Sequence, residues 1–281
     1  MINLNGELCK DEQALIHLSN RGYAYGDAVF ETIRVNQGKI LFWEDHYFRL
    51  MASMRILRMQ IPMEFTPEFL EEEICTLVDK NQLQDKAARI KITVSRHAEG
   101  FYTPLSNEVV YTIQASEITN GFYTIEESDY EVTLFKDHYV MADLLSTVKS
   151  NNKAVNVLAG IFAKENGFQN ALLLNSNKMV IEAINGNLFL VKDNVIKTPP
   201  LADGCLRGIL RTQLLRILEK LDDYEVKEES ISPFELQKAD ELFITNVITG
   251  IQPISKYKKK AYRTIVAKRL LGTLNARVRL T

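Results

Sequence analysis

Lys149 stands in Ser146-Thr147-Val148-Lys149-Ser150-Asn151-Asn152, a short polar run that leads into the helix-like Ala154-Val155-Asn156-Val157-Leu158-Ala159. An amine becomes a nucleophile when burial or a nearby cation holds it unprotonated, and it then condenses with carbonyl groups. Downstream, Glu182 closes the apolar run Met179-Val180-Ile181, where a strand end can deliver one carboxylate. Gly208-Ile209-Leu210-Arg211 opens an amphipathic run whose first N–H groups suit an anion, and Thr245-Asn246 makes a second polar turn. These residues supply an amine to capture an aldehyde, a carboxylate to keep a ring nitrogen protonated and two backbone turns to anchor a phosphate. Each alone has a commoner reading: a solvated loop lysine, an exposed strand-end glutamate, a helix-capping glycine. Their joint occurrence carries the argument.

Six segments appear in a fixed order: Asn20-Arg21-Gly22-Tyr23-Ala24-Tyr25-Gly26-Asp27-Ala28-Val29-Phe30-Glu31, His46-Tyr47-Phe48-Arg49-Leu50, Lys149-Ser150-Asn151-Asn152, Glu182-Ala183-Ile184-Asn185-Gly186-Asn187, Gly208-Ile209-Leu210-Arg211 and Thr245-Asn246-Val247. In order and wording they resemble the class IV aminotransferases. These are the fold-type IV enzymes of pyridoxal 5'-phosphate, which include branched-chain aminotransferases, D-amino acid aminotransferases and aminodeoxychorismate lyases. The resemblance implies an α+β, two-domain fold and a covalent link between cofactor and Lys149, which also carries the proton between substrate and cofactor. It implies that Glu182 pairs with the ring nitrogen, with Asn187 behind it. The phosphate falls to Gly208, Ile209, Leu210, Thr245, Asn246 and Arg49. It further implies small amino acid and 2-oxo acid substrates and a homodimer.

Departures from the family bear on the substrate. Leu210 replaces a common threonine, Ala183 and Ile184 replace small Gly or Ser types, and Lys153 stands where branched-chain enzymes place a tyrosine. The loop Ser95-Arg96-His97-Ala98-Glu99-Gly100-Phe101-Tyr102 does not match the arginine and histidine of the D-amino acid enzymes. Its Val94-Ser95-Arg96 wording is nearer the lyases. The substrate carboxylate is therefore expected at backbone amides of the turn Asn246 to Ile248, including Val247, helped by Arg96 or Lys91, with Phe30 nearby. The leading expectation is amino transfer between an amino acid, branched-chain among the candidates, and a 2-oxo acid. An aminodeoxychorismate lyase and a binding protein without catalysis on the same scaffold are the rivals.

Periodicity supplies the elements that position these residues. Phe30 to Val35 and Lys39 to Phe42 read as strands around the turn Asn36-Gln37-Gly38, followed by a helix over Glu44 to Met59 and another after Pro67. Arg89 to Ser95 and Val109 to Ala115 read as strands. Residues 116–121 lose both periodicities and mark a linker between a small domain, 1–115, and a larger cofactor-binding domain, 122–281, with a cleft between them. In the second domain, strands at Tyr130 to Phe135, Ala171 to Leu174, Met179 to Glu182, Leu188 to Val191 and Glu241 to Thr245 alternate with helices at Asn152 to Asn166, Arg207 to Lys220 and Tyr262 to Val278.

With 281 residues, 46% hydrophobic and 25% charged, the chain can build a substantial core, and its net charge of -2 gives no long-range pull toward nucleic acid or membrane. Cys9, Cys75 and Cys205 are far apart, which fits a reducing compartment. The four histidines lack metal-ligand spacing, and the basic run Lys256 to Lys260 reads as a solvated face. The N-terminus does not read as a signal peptide, and no run reaches the ~18 apolar residues of a membrane span. A cytoplasmic protein without metal, nucleic acid or membrane partners is the expectation.

Overall fold

The computed structural model describes residues 1–97, 99–125 and 128–280. Ala98 of the loop discussed above lies outside them, as do Glu126, Glu127 and Thr281 of the expected larger domain. The chain forms two compact units: Met1–Phe122 with Lys149–Asn152, and Tyr123–Val148 with Lys153–Thr281.

Unit 1 contains β1 (Ile2–Leu4), β2 (Glu7–Cys9), α1 (Arg21–Tyr25), β3 (Ala28–Asn36), β4 (Lys39–Ile40), α2 (Trp43–Ile56), α3 (Pro67–Lys80), β5 (Ala87–Arg96) and β6 (Val109–Ile118). Its antiparallel sheet runs β2-β1-β6-β5-β3-β4. Side chains alternate across the pleat. Val29, Ile33, Ile90, Ile92 and Val94 are buried on one face, together with Leu50 and Met54 of α2 and Leu70, Ile74 and Leu77 of α3. The other face carries Phe30, Thr32, Arg34, Arg89, Lys91 and Thr93. Gln37 and Gly38 turn β3 into β4 with φ of +48° and +74°, the two left-handed residues of a tight hairpin. Thr66 Oγ1 accepts the Phe69 N–H at 3.2 Å, and Pro67 takes the first position of α3, where a missing N–H costs nothing.

Several boundaries shift by up to three residues from the sequence reading, as where the last helix starts at Ile265 rather than Tyr262, and two differences have a clear local cause. The strand expected over Lys39 to Phe42 ends at Ile40, because Phe42 adopts a φ of +57° and α2 begins at Trp43. The linker placed at 116–121 begins inside β6, where Ser116, Glu117 and Ile118 pair with Arg89, Ala88 and Ala87. Their polarity reflects exposure rather than a break in the ladder.

Unit 2 contains β7 (Glu131–Leu134), α4 (Ala154–Glu165), β8 (Asn170–Leu174), β9 (Val180–Ala183), β10 (Gly186–Lys192), β11 (Val195–Thr198), α5 (Ile209–Leu218), β12 (Glu225–Glu228), α6 (Pro233–Leu236), β13 (Glu241–Asn246), β14 (Gly250–Ile254), β15 (Lys256–Tyr257), β16 (Lys260–Ala261) and α7 (Ile265–Leu280). Strands β12-β11-β10-β9-β8-β7-β15-β16 follow one another, while β13 pairs with both β10 and β14. Leu172, Leu188, Leu242, Ile244 and Ile254 form one core, and Ala159, Ala163, Leu173 and Ile181 a second. Fully burying a Leu or Ile side chain contributes about 1.5–3 kcal/mol. The buried Glu241 carboxylate accepts the N–H groups of Ile265, Val266 and Ala267 at 2.7, 2.9 and 3.1 Å, so α7 starts against a built-in anionic cap.

Candidate active site

Residues 149–152 group with unit 1 although their neighbours on both sides belong to unit 2. The Lys149 carbonyl accepts the Phe30 N–H at 2.8 Å, the Asn151 N–H donates to the Ala28 carbonyl at 2.9 Å, and Ser150 bridges to Val29. This short strap fixes the backbone of Lys149 against β3. Its Nζ lies 4.4 Å from the centre of the Phe30 ring, and Lys91 Nζ lies 5.5 Å from the same ring.

On the opposite face of β3, Glu31 accepts Arg49 Nε at 2.7 Å, Arg49 Nη2 at 2.6 Å and His46 Nδ1 at 2.7 Å, all buried. Burial alone would raise the Glu31 pKa, but the charge and hydrogen bonds of Arg49 and His46 outweigh it and bring the carboxyl down to about 2. His46 is fully buried and is drawn below the ordinary imidazole value, first by burial, with Arg49 and Lys149 adding to it against Glu31's opposing pull. Arg49, expected at the phosphate, has Nε and Nη2 committed to Glu31, so its guanidinium is held in one orientation.

In unit 2, Glu182, Asn187 and Thr245 are consecutive members of one cross-strand row over β9, β10 and β13. Glu182 Oε2 accepts the Leu206 N–H at 2.9 Å, and Asn187 Nδ2 donates to the Leu206 carbonyl at 2.8 Å. Leu206 is therefore clamped from both sides, two residues before Gly208 opens α5. A Cβ at Gly208 would collide with Asn187 Oδ1, and one at Gly186 would meet the Thr245 carbonyl at 2.7 Å. Glycine is required at both for this close approach. Near the clamp, burial first and then the Glu182 charge push the Cys205 thiol up to about 12.

Unlike α7, α5 has neither a capping side chain nor an acid in its first turn. The Thr245 hydroxyl is buried and has no hydrogen-bond partner among the described residues. A buried donor without a partner costs about 1–3 kcal/mol, as does leaving amides without acceptors. A phosphate at the start of α5 would accept its amides, and Thr245 is the cross-strand partner of Asn187, whose Oδ1 abuts Gly208, so this donor set fits the group that the sequence implied.

The substrate residues fare differently. Arg96 donates Nε to Asp27 at 2.9 Å, Nη2 to Asp27 and the Leu57 carbonyl, and Nη1 to the Arg58 carbonyl and Asn107. Every donor is used within the fold, which removes Arg96 from the carboxylate set; its role is to tie β5 to Asp27, which also accepts Arg21 Nε. The Ile248 N–H, counted on for the carboxylate, donates to Asn246 Oδ1 at 3.0 Å, as do the Thr249 N–H and hydroxyl at 2.9 and 2.7 Å. Asn246 thus closes its own turn, and the buried Val247 holds the Tyr123 hydroxyl on its carbonyl at 2.8 Å. Phe30 and Lys91 remain beside Lys149.

Among the described residues, no helix is long and apolar enough to cross a membrane and no group of His, Cys, Asp or Glu side chains could hold a metal ion.

Residues 28–257 match the family model for amino-transferase class IV, which spans most of the chain. A putative branched-chain-amino-acid aminotransferase of Methanocaldococcus jannaschii is 32% identical over 253 residues, 90% of this chain and 86% of that protein. An aminodeoxychorismate lyase of Vibrio harveyi is 29% identical over 248 residues, 86% and 88% of the two chains. Among solved structures, a 4-amino-4-deoxychorismate lyase, itself named as putative, of Legionella pneumophila superposes with a TM-score of 0.82 at 26% identity, covering 95% of this chain and 96% of that one. A branched-chain amino acid aminotransferase of T.th., solved with pyridoxamine 5'-phosphate, superposes with a TM-score of 0.88 at 28% identity, covering 99% and 93%. The chain belongs to the class IV aminotransferases, with the α+β fold of fold-type IV. It is a transaminase dependent on pyridoxal 5'-phosphate.

Proposed function

We propose that the chain exchanges an amino group between an amino acid and a 2-oxo acid, with Lys149 as the catalytic amine. The observation that carries this reading is the start of α5, left without a cap beside the partnerless Thr245 hydroxyl, in the same strand row as Glu182. Pyridoxal phosphate supplies an aldehyde that condenses with amines and a ring that takes up the electrons of the bond broken at the substrate's α-carbon. Lys149 Nζ takes the proton from that carbon and returns it one position away, its backbone held by the strap on β3. Glu182, oriented by the Leu206 N–H, keeps a proton on the ring nitrogen. Gly208, Ile209 and Leu210 present backbone N–H groups to the phosphate, Thr245 its hydroxyl, and Arg49 a charge aligned by Glu31. Asn246 shapes the adjoining turn, Asn187 anchors Leu206, and Phe30 packs against the lysine and limits water around it. Lys91 receives the substrate carboxylate.

The test adds single L- and D-amino acids to the cofactor-loaded protein. One of them abolishes the visible band of the lysine-bound cofactor, and a 2-oxo acid restores it. If none does, and aminodeoxychorismate yields pyruvate and 4-aminobenzoate instead, the lyase reading replaces this one; the 29% identity to a lyase keeps it the second reading. We further infer a cytoplasmic homodimer. Exposed apolar side chains at Leu144, Leu145, Val157 and Ile161 support an interface, and a fully active monomer in sedimentation overturns it.

A further inference from the structure

The chain enters unit 2 at Tyr123, and three parts of that unit converge on this residue. Its backbone is clamped by one side chain of α7: Asn275 Oδ1 accepts the Tyr123 N–H at 3.2 Å, and Asn275 Nδ2 donates to the Tyr123 carbonyl at 2.8 Å. Its ring lies against the backbone at the start of β14, where a Cβ on Gly250 would fall 2.7 Å from ring carbons, and Gly250 also has a φ of +81°. Glycine is required there on both counts. The Tyr123 hydroxyl donates to the Val247 carbonyl at 2.8 Å.

That carbonyl belongs to the turn between β13 and β14. The peptide unit joining Val247 to Ile248 is held at both ends, since its carbonyl accepts from Tyr123 and its N–H donates to Asn246 Oδ1 at 3.0 Å. A peptide plane in a turn reorients by rotating about the two dihedrals that flank it, and two opposed anchors block that rotation. The preceding plane, which carries the Val247 N–H, lies between this fixed unit and Asn246, the last residue of β13, paired with Gly250. Val247 is buried, yet its N–H has no acceptor among the described residues. Buried amides are ordinarily paired, so this one calls for an acceptor from outside the chain.

We propose that Tyr123 is a positioning residue of the active site: by pinning the 247–248 peptide, its hydroxyl sets the Val247 N–H for an anionic oxygen of cofactor or substrate. This rests on the placement of the site at Thr245 and Asn246. The packing of the ring does not require the hydroxyl, because phenylalanine would fill the same seat on Gly250 and Asn275 grips backbone atoms that any residue offers. The hydroxyl is what couples the start of unit 2 to the turn. Phosphate and carboxylate oxygens both suit one amide N–H, and the two are separable because the first belongs to the cofactor and the second to the substrate.

Tyr123→Phe removes the hydroxyl alone. Its control is Tyr262→Phe, which takes another tyrosine donor of unit 2 from a backbone carbonyl, that of Leu236, at 2.6 Å. Both substitutions leave a carbonyl without its donor and are expected to lower the melting temperature by a few degrees. Only Tyr123→Phe is expected to weaken an anion contact, by roughly tenfold, the value of about one hydrogen bond, while kcat stays close to that of the wild type. In the cofactor arm, a higher Kd for pyridoxal phosphate with that of pyridoxal unchanged assigns the phosphate. In the substrate arm, a higher KM at saturating cofactor, for whichever substrate the wild type converts, assigns the carboxylate. If Tyr123→Phe moves neither the phosphate-dependent part of the Kd nor the KM more than Tyr262→Phe does, Tyr123 is structural only and the proposal is overturned. A wild type that binds pyridoxal phosphate yet converts no amino acid refutes the transaminase reading by itself. The cofactor arm then still decides the role of Tyr123, and an unchanged Kd overturns it.

Discussion

Glu31 and Arg34 are three residues apart on β3 and point to opposite faces of one sheet, and the two faces treat charge in opposite ways. On the helix-packed face, Glu31 accepts hydrogen bonds from Arg49 and His46, so a buried carboxylate meets a guanidinium within the chain. On the uncovered face, Arg34, Arg89 and Lys91 follow one another along the ladder with neutral cross-strand neighbours on β6. The first arrangement holds β3 to α2 and orients the Arg49 guanidinium. The second sets Arg34 directly opposite Arg89, and like charges so opposed weaken a strand pair, so removing a charge should have opposite consequences on the two faces.

The largest effect is expected at the uncovered face, where Lys149 Nζ lies over the Phe30 ring and the proposed chemistry falls. Lys149→Ala should lower turnover by roughly 10⁴-fold or more while leaving unfolding temperature nearly unchanged. Borohydride reduction of the wild type should leave the cofactor attached to Lys149 in peptide maps; attachment at Lys153 or Lys91 would show that the amine has been misassigned.

The helix-packed face should answer in stability instead. Glu31→Gln leaves Arg49 buried without its carboxylate and should cost about 3–5 kcal/mol in urea unfolding. The pH dependence has a definite sign. The folded-state pKa of Glu31 is depressed from 4.5 to about 2, so its stabilisation is fully present above pH ~4.5 and disappears as pH falls toward 2, on the order of 3 kcal/mol in all. Wild type minus Glu31→Gln should show that slope between those values, and a flat difference would mean that the cluster does not hold the sheet to α2.

Thr245→Val tests the same logic in unit 2. The hydroxyl has no partner among the described residues, so its loss should leave the cofactor-free protein as stable as before, yet weaken cofactor binding roughly tenfold, the value of about one hydrogen bond. Equal losses in both measurements would make Thr245 structural. The smallest effect is a gain: Arg89→Leu without ligand should stabilise by up to about 1 kcal/mol by removing the like-charge pair with Arg34. A destabilisation there would erase the contrast between the faces.

Much of this was legible in the chain itself, for reasons that differ by residue. Lys149, Glu182 and Gly208 sit in short motifs whose meaning is local: a polar run before a helix, a strand end, a helix start. The hairpin at Gln37-Gly38 and α3 after Pro67 are likewise written in residues that dictate their own backbone. Glu31 was visible only as a motif neighbour of Phe30, because its partner Arg49 lies on another element and the pairing is tertiary. The opposition of Arg34 and Arg89 depends on the register of two strands far apart in sequence, which no local pattern contains. Arg96 misled for the converse reason: an arginine in a loop-flanking position looks available, and only the surrounding carbonyls reveal that it is fully used. The two-residue strands β15 and β16 and the short β1 and β2 carry too few alternations to register as periodic.

The strap at 149–152 also sets a schedule for synthesis. Residues 1–122 leave the ribosome with the Phe30 N–H and the Ala28 carbonyl still lacking the partners that Lys149 and Asn151 supply. At about 5–20 residues per second, unit 1 waits some seconds for its closing segment, which arrives only after the first part of unit 2 has been made. A gene cut at the end of residue 122 would therefore yield a sheet with an open edge and no Lys149, and neither half would be a self-sufficient module for recombination with other chains.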